Sequence, residues 1–297
     1  MASYRVRGDW GSTHLRLFRV EGAAVTDQRL GLGILRLQGA RPEYILAAAL
    51  SLWRRDGMPE SITLCGMVGS RNGWREAPYV PCPCRLEDWR LKALRLSLDG
   101  APVVIAAGLS IVGNDDRPDV MRGEETQIFG ALATDARLRV GRHLIALPGT
   151  HSKWVVVEDG AVAEFRTYPT GELFALLREH SSLVGFKAET VEPDPEGFKA
   201  GLARIVDGQR LLGALFEARS AQLLAARSSA WAMGFISGVL IGSEVAEALA
   251  AAPDAAPVLI GETQLLAAYE QALQQFGRAP IKLNGPQCSI AGLELLE

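Results

Sequence analysis

Val6-Arg7-Gly8-Asp9-Trp10-Gly11-Ser12-Thr13-His14-Leu15-Arg16-Leu17-Phe18-Arg19-Val20-Glu21-Gly22 has a counterpart near the middle of the chain. The counterpart is Ile145-Ala146-Leu147-Pro148-Gly149-Thr150-His151-Ser152-Lys153-Trp154-Val155-Val156-Val157-Glu158-Asp159-Gly160. In each, an apolar run ends in a cluster of glycine, hydroxyl and histidine side chains. A second run follows, and a glycine turn closes it. Gly11 and Gly22 are eleven positions apart, as are Gly149 and Gly160. Asp159-Gly160 has the composition of a two-residue hairpin turn. A repeat of this kind sets the architecture, so it is weighed before any single motif.

Working outward, the same order of elements follows both segments. After the first come a strand near Val25, a helix over 42–54, a strand over 62–65, an amphipathic helix over 86–96, a strand over 103–106 and a helix from Glu124. The second half opens with strands over 144–147, 153–157 and 162–166. A helical block over 171–252 follows, then a strand over 257–260, a helix over 263–276, a short strand near Ile281 and a last helix after Pro286. Each half therefore reads β-β-β-α-β-α-β-α, the second with a helical insertion. A dinucleotide-binding chain would open β-α-β with a Gly-x-Gly-x-x-Gly turn, and that pattern is missing here. The expected division is an N-terminal lobe over 1–137 and a C-terminal lobe over 138–297.

Composition fits two lobes of ordinary size. The chain has 297 residues, 48% of them apolar, and a formal net charge of -3. Acid and base are mixed along it, and no lysine- or arginine-rich block predicts binding to nucleic acid or to an anionic membrane. Cys65, Cys82, Cys84 and Cys288 form no Cys-x-x-Cys pair, and the four histidines have no ligand spacing, which argues against a structural zinc or a disulfide framework. With a polar N-terminus lacking a signal-peptide core, the sequence reads as cytoplasmic. Residues 231–252 form an apolar run with Gly234, Gly238 and Gly242 four apart. Ser237, Ser243, Glu244 and Glu247 interrupt it, so a buried helix is expected rather than a membrane span.

A hairpin turn of Gly-Ser-Thr or Gly-Thr-His presents backbone N–H groups and hydroxyls with no bulky side chain in the way, which suits phosphate oxygens. Gly11, Ser12 and Thr13 form the first such cradle, and Gly149, Thr150 and His151 the second, with Lys153 close behind. Alone, either would pass for a plain turn; the duplication favours ATP phosphates, held in a cleft that closes on them. Asp9, at the end of a buried strand, is placed to hold Mg²⁺ through water. Gly261 and Thr263, between a strand and a helix, suit the adenosine end, although Thr263 could equally cap the helix.

Several longer motifs now matter together. They are Gly8-Asp9-Trp10-Gly11-Ser12-Thr13, Gly66-Met67-Val68-Gly69-Ser70 with Asn72-Gly73-Trp74, and Met121-Arg122-Gly123-Glu124-Glu125-Thr126-Gln127. Pro148-Gly149-Thr150-His151-Ser152-Lys153-Trp154 and Phe165-Arg166-Thr167 with Thr170-Gly171-Glu172-Leu173 complete the set. In this order they resemble the 2-dehydro-3-deoxygalactonokinase family, over a stretch reaching to about residue 270. The resemblance implies an α/β chain of the two-lobed actin/hexokinase-like (ribonuclease H-like) fold. It also implies transfer of the ATP γ-phosphoryl group to the 6-hydroxyl of 2-dehydro-3-deoxy-D-galactonate.

A hydroxyl nucleophile needs a base. The Gly123-Glu124-Glu125 segment also resembles the glutamate segment of exopolyphosphatases of this fold. Both Glu124 and Glu125 are candidates, with Glu125 preferred and Asp115 and Asp116 as substitutes; acidic residues also favour a first helical turn by themselves. The sugar-acid carboxylate calls for a fixed cation. Arg71, Arg122 and Arg166 are candidates, with Asn72 and Trp74 beside the first. Alternatives are a kinase of another 2-keto-3-deoxy acid and an exopolyphosphatase-like hydrolase, though the latter would need a basic channel that this chain lacks. A homodimer is compatible with the sequence.

Overall fold

The computed structural model describes residues 3–112, 117–185 and 192–297; Asp115 and Asp116 lie outside the described residues. The first half runs β1 (Arg5–Trp10), β2 (His14–Glu21), β3 (Ala24–Leu32), α1 (Pro42–Leu50), β4 (Ile62–Gly66), β5 (Tyr79–Pro81) and α2 (Leu86–Leu91). It continues through β6 (Leu94–Leu98), β7 (Ala101–Ile105), β8 (Gly108–Val112), β9 (Pro118–Met121) and α3 (Glu124–Thr134). The second half runs β10 (Arg142–Leu147), β11 (Ser152–Glu158), β12 (Ala161–Tyr168), α4 (Thr170–His180), α5 (Pro195–Val206), α6 (Leu211–Leu215) and α7 (Glu217–Ala225). Then come α8 (Ser229–Ala251), β13 (Ala256–Gly261), α9 (Thr263–Gln275), β14 (Ile281–Asn284) and α10 (Gly285–Glu294).

The duplication is written in the strand order. One sheet is β3-β2-β1-β4-β7-β6 and another is β12-β11-β10-β13-β14. Counted within each half, both have the order 3-2-1-4-5, the first with β6 added at its edge. In the first, β1 is antiparallel to β2 and parallel to β4; in the second, β10 is parallel to β13. This is the actin/hexokinase-like α/β fold expected from the sequence.

Two expectations are corrected. The helix over 86–96 stops at Leu91, because residues 94–98 alternate in burial at strand period and pair antiparallel with β7. Asp99-Gly100 makes that turn with positive φ at both residues, 52° and 90°, the conformation a tight hairpin demands. A three-stranded sheet, β5-β8-β9, was not anticipated; its strands are only 3 to 5 residues long and carry little periodic signal.

Two compact units emerge. The first comprises Met1–Arg142, Val157–Phe165 and Asn284–Glu297; the second comprises His143–Val156 and Arg166–Leu283. In the first, alternate residues of the central strands (Val6, Leu15, Leu17, Ile62, Leu64, Val103, Ile105) pack with Leu46 and Leu50 of α1. Its last helix, α10, lies against α3 so closely that a Cβ on Gly130 or Gly292 would overlap the facing backbone. Asn284 caps α10 by accepting from the Gln287 N–H at 3.0 Å. Arg7, 3% exposed, ties β1 to the last residue of that helix, Glu294, at 3.3 Å and to Glu297 just beyond it at 3.0 Å.

In the second unit α8 is long and apolar enough by composition to cross a membrane. Here it is mostly buried, and its glycine stripe faces a matching stripe on α5. Gly234 and Gly238 meet backbone of Asp194 and Phe198, and Gly197 and Gly201 meet Trp231 and Phe235. Only residues without a Cβ allow such an approach.

Candidate functional site

The turn between β1 and β2 is held by what lies beneath it. Gly33, Ile34 and Leu35 donate their N–H groups to the carbonyls of Thr13, Gly11 and Ser12, at 3.0, 3.0 and 3.1 Å. All three turn carbonyls are thereby committed to one side. Gly33 touches the turn so closely that a Cβ there would lie 2.4 Å from backbone atoms of Ser12 and Thr13. Trp10, fully buried, fixes the strand end by donating Nε1–H to Leu32 O at 3.0 Å.

The second turn is built alike. Gly149, Thr150 and His151 are exposed, and Gly149 faces open space. Gly171, in the first turn of α4, supports them; a Cβ on it would lie 2.5 Å from Gly149 O and 2.9 Å from Thr150 Cα. Glu172 adds two ties: its N–H donates to Thr150 O at 3.0 Å, and its Oε2 meets His151 Nε2 at 2.8 Å. Lys153 is 5% exposed and donates to His151 O at 3.3 Å, so its stem is buried against the turn rather than turned to solvent.

Beside the first turn lies an acidic cluster. Asp9 pairs across the hairpin with Arg16 and in parallel register with Cys65. Burial raises the Asp9 carboxyl to about 6; Arg16 opposes the rise, Glu124 adds to it, and a hydrogen bond from Cys65 opposes it. Cys65 also hydrogen-bonds Thr126 of α3. Asp9 and the start of α3 are thus linked through one buried thiol.

The structure separates the two glutamates. Glu125 is fully buried, with Oε2 accepting from Gly123 N–H at 2.6 Å and Oε1 from Thr126 Oγ1 at 3.1 Å. Desolvation, with the charge of Glu124 added, raises it to about 8. Glu124 remains partly exposed, its Oε2 accepting from Arg122 N–H at 3.1 Å. An acid with a folded pKa near 8 and an unfolded value of about 4.3 loses its contribution to stability progressively where only the unfolded chain has lost the proton, and favours folding least above the folded pKa. The melting temperature is therefore expected to fall as pH rises from about 5 to 8, and Glu125→Gln should flatten that slope. Equal slopes in thermal melts of both proteins would contradict this.

The expected cation sites divide. Arg71 is 85% exposed, 3.7 Å from Glu76, with Asn72 exposed beside it. Arg122 is packed instead: its Nη2 donates to Ala77 O at 2.8 Å and its guanidinium lies 4.2 Å over the Tyr79 ring. Trp74 is partly buried against the core of the first unit. In the second unit, Arg166 is exposed on β12. Gly261 ends β13 in contact distance of Leu266, and Thr263 opens α9. Glu262, not Thr263, is the capping position, so the helix-cap alternative for Thr263 falls.

Sequence reading missed Arg16, Gly33, Cys65 and the tie from Glu172. Arg16 could have been found by laying the hairpin in register about its turn. The other three act through packing between segments distant in the chain.

Topology and paired glycine-seated turns together define a chain of the actin/hexokinase-like class. Within that class the chain belongs to the 2-keto-3-deoxy-galactonokinase family, which it matches over residues 9–296. The match thus takes in α10, beyond the stretch that the motifs alone cover. A 2-dehydro-3-deoxygalactonokinase of Escherichia coli (strain K12) is 37% identical over 287 residues, which cover 96% of this chain and 94% of that protein. DgoK1 of Rhizobium meliloti (strain 1021) is 35% identical over 300 residues, covering 98% and 96%. A Sinorhizobium meliloti crystal structure assigned to 2-dehydro-3-deoxygalactonokinase aligns with a TM-score of 0.90 at 33% identity, covering 99% of this chain and 98% of that one.

Proposed function

We propose that this chain transfers the γ-phosphoryl group of ATP to the 6-hydroxyl of 2-dehydro-3-deoxy-D-galactonate, in the cytoplasm, during galactonate breakdown. Family membership over nearly the whole chain carries this reading. In it, the N–H groups of Ser12 and Thr13 and of Gly149, Thr150 and His151 receive the phosphates, whereas Gly11, whose N–H donates to His14 O at 2.9 Å, serves by leaving the turn without a side chain. Their carbonyls being held from beneath at the first turn suits it to an anion. Gly261 and Thr263 serve the adenosine end, and Lys153 braces the second turn through His151.

Asp9 is the acidic side chain fitted to hold Mg²⁺. Among the described residues no group of three or more His, Cys, Asp or Glu could cage a metal. That fits a cation keeping much of its water and sharing the phosphates, and such a cation supplies neutralising charge. Arg71 and Asn72, exposed after β4, are assigned to the sugar-acid carboxylate, with Arg166 as a further cation.

Glu124 is assigned as the base. Its partial exposure lets it meet a substrate hydroxyl, and the raised pKa of Glu125 leaves that neighbour neutral at pH 7. The 6-hydroxyl gives its proton to a Glu124 carboxylate oxygen as its own oxygen bonds to the γ-phosphorus. The bond from that phosphorus to the β–γ bridging oxygen breaks, and ADP leaves.

The test is ADP release from Mg-ATP with 2-dehydro-3-deoxy-D-galactonate, with its gluconate epimer, and with no sugar. ADP formation that depends on the galactonate compound is expected. Equal release of ADP or phosphate without sugar would sink the kinase reading; preference for the epimer would move the substrate to another 2-keto-3-deoxy acid.

A further inference from the structure

One carboxylate in the second unit has no part in the steps above. Glu244 interrupts the apolar run of α8 and is 3% exposed. Its Oε1 accepts from Trp154 Nε1 at 2.6 Å, and its Oε2 accepts from the Tyr269 hydroxyl at 2.8 Å. That hydroxyl lies 2.9 Å from Ser152 Oγ. The side chains of Thr170 and Ser152 also hydrogen-bond Glu244. Donors from β11, α4 and α9 therefore converge on one acid from α8.

A buried carboxylate is costly, and an apolar residue would fill the same space more cheaply unless placement of its partners matters. The partners have one thing in common. Ser152 and Trp154 are the first and third residues of the strand leaving the Gly149–Thr150–His151 turn, and Thr170 immediately precedes the Gly171 on which that turn rests. The acid thus grips the turn at its exit and at its support.

We infer that Glu244 is a positioning residue for nucleotide binding, fixing the Gly149–Thr150–His151 turn through Ser152, Trp154, Tyr269 and Thr170. This rests on the reading of that turn as a phosphate site. Losing one charged acceptor from a set of buried donors misplaces the turn, and ATP affinity falls while the sugar-acid site is untouched.

Four variants test it, each read by KM for both substrates, by direct titration with a fluorescent ATP analogue, and by melting temperature. Glu244→Gln is expected to raise the ATP KM and the analogue's Kd about tenfold or more, with the sugar-acid KM within about twofold. Tyr269→Phe, which removes one donor and the Ser152 contact, should move the same quantities less, and it serves if Glu244→Gln does not fold. Leu240→Ala, a cavity in the same helix, should lower the melting temperature and leave ATP affinity within about twofold. Gly149→Ala puts a methyl group in the open space of the turn and should weaken ATP binding. If Gly149→Ala weakens ATP and the folded Glu244 and Tyr269 variants do not, the inference fails and the phosphate reading stands. The inference also fails if Leu240→Ala weakens ATP as much as they do. If Gly149→Ala has no effect, the phosphate reading fails and the inference with it.

Discussion

Glu124→Gln lowers kcat for sugar-acid phosphorylation by about 10²–10⁴-fold, the span that removal of a general base commands. Glutamine keeps the size of the side chain and an oxygen to accept from Arg122 N–H, so the loss is one of proton acceptance rather than of fold. ATP titration should show binding retained. Glu125→Gln should behave otherwise. The buried acid is mostly protonated at pH 7 already, and its amide isostere can still accept from Gly123 N–H or Thr126 Oγ1. Its kcat should stay within about tenfold of the parent, with the change concentrated in stability. Initial rates of ADP release for both variants, at saturating ATP and sugar acid, decide the matter. The reverse ranking would return the role of base to Glu125.

Gly33→Ala should lower kcat/KM for ATP by about 10²-fold, the scale of loss when a binding group is misplaced by about 1 Å. The methyl group would sit 2.4 Å from three backbone atoms of Ser12 and Thr13. Backbone cannot rotate away as a flexible side chain can, so the turn must lift. Lifting breaks the three N–H bonds that fix its carbonyls, and the amides meant for phosphate lose their aim. Gly31→Ala is the control, two residues earlier and inside β3, where a Cβ meets Leu15 side-chain atoms at 3.4 Å or more. It should keep its ATP KM within about twofold. Equal effects from the two substitutions would show that the turn does not depend on its seat.

Much of the fold was legible because it is stated twice. Either glycine turn alone would have passed for an ordinary hairpin, but two at matched intervals, each followed by the same order of elements, predict two halves of one architecture, and the structure gives both sheets a shared 3-2-1-4-5 strand order. Legibility failed where local signals conflict. Leu86, Trp89 and Leu91 suit a helix while Leu94, Leu96 and Leu98 suit a strand, and only the Asp99-Gly100 turn marks the change. In the site, Asp9 and the two turns were readable because their chemistry lies within a few consecutive residues. The difference between Glu124 and Glu125 was not. Adjacent in sequence, they differ by which side of α3 meets the protein interior, and that depends on packing with β4 and α10.

The lock between α3 and α10 also has a consequence in time. Ribosomes deliver the chain from its N-terminus, and domains tend to close as soon as their parts are available. The first unit cannot do so, because the helix that covers α3 and pairs with Arg7 lies in residues 284–297, made after the whole of the second unit. Until that segment arrives, the helix bearing Glu124 and Glu125 has an open flank and Arg7 lacks its acidic partners. The acidic cluster therefore takes its final form as a late event of biosynthesis, whereas the second unit can settle before it.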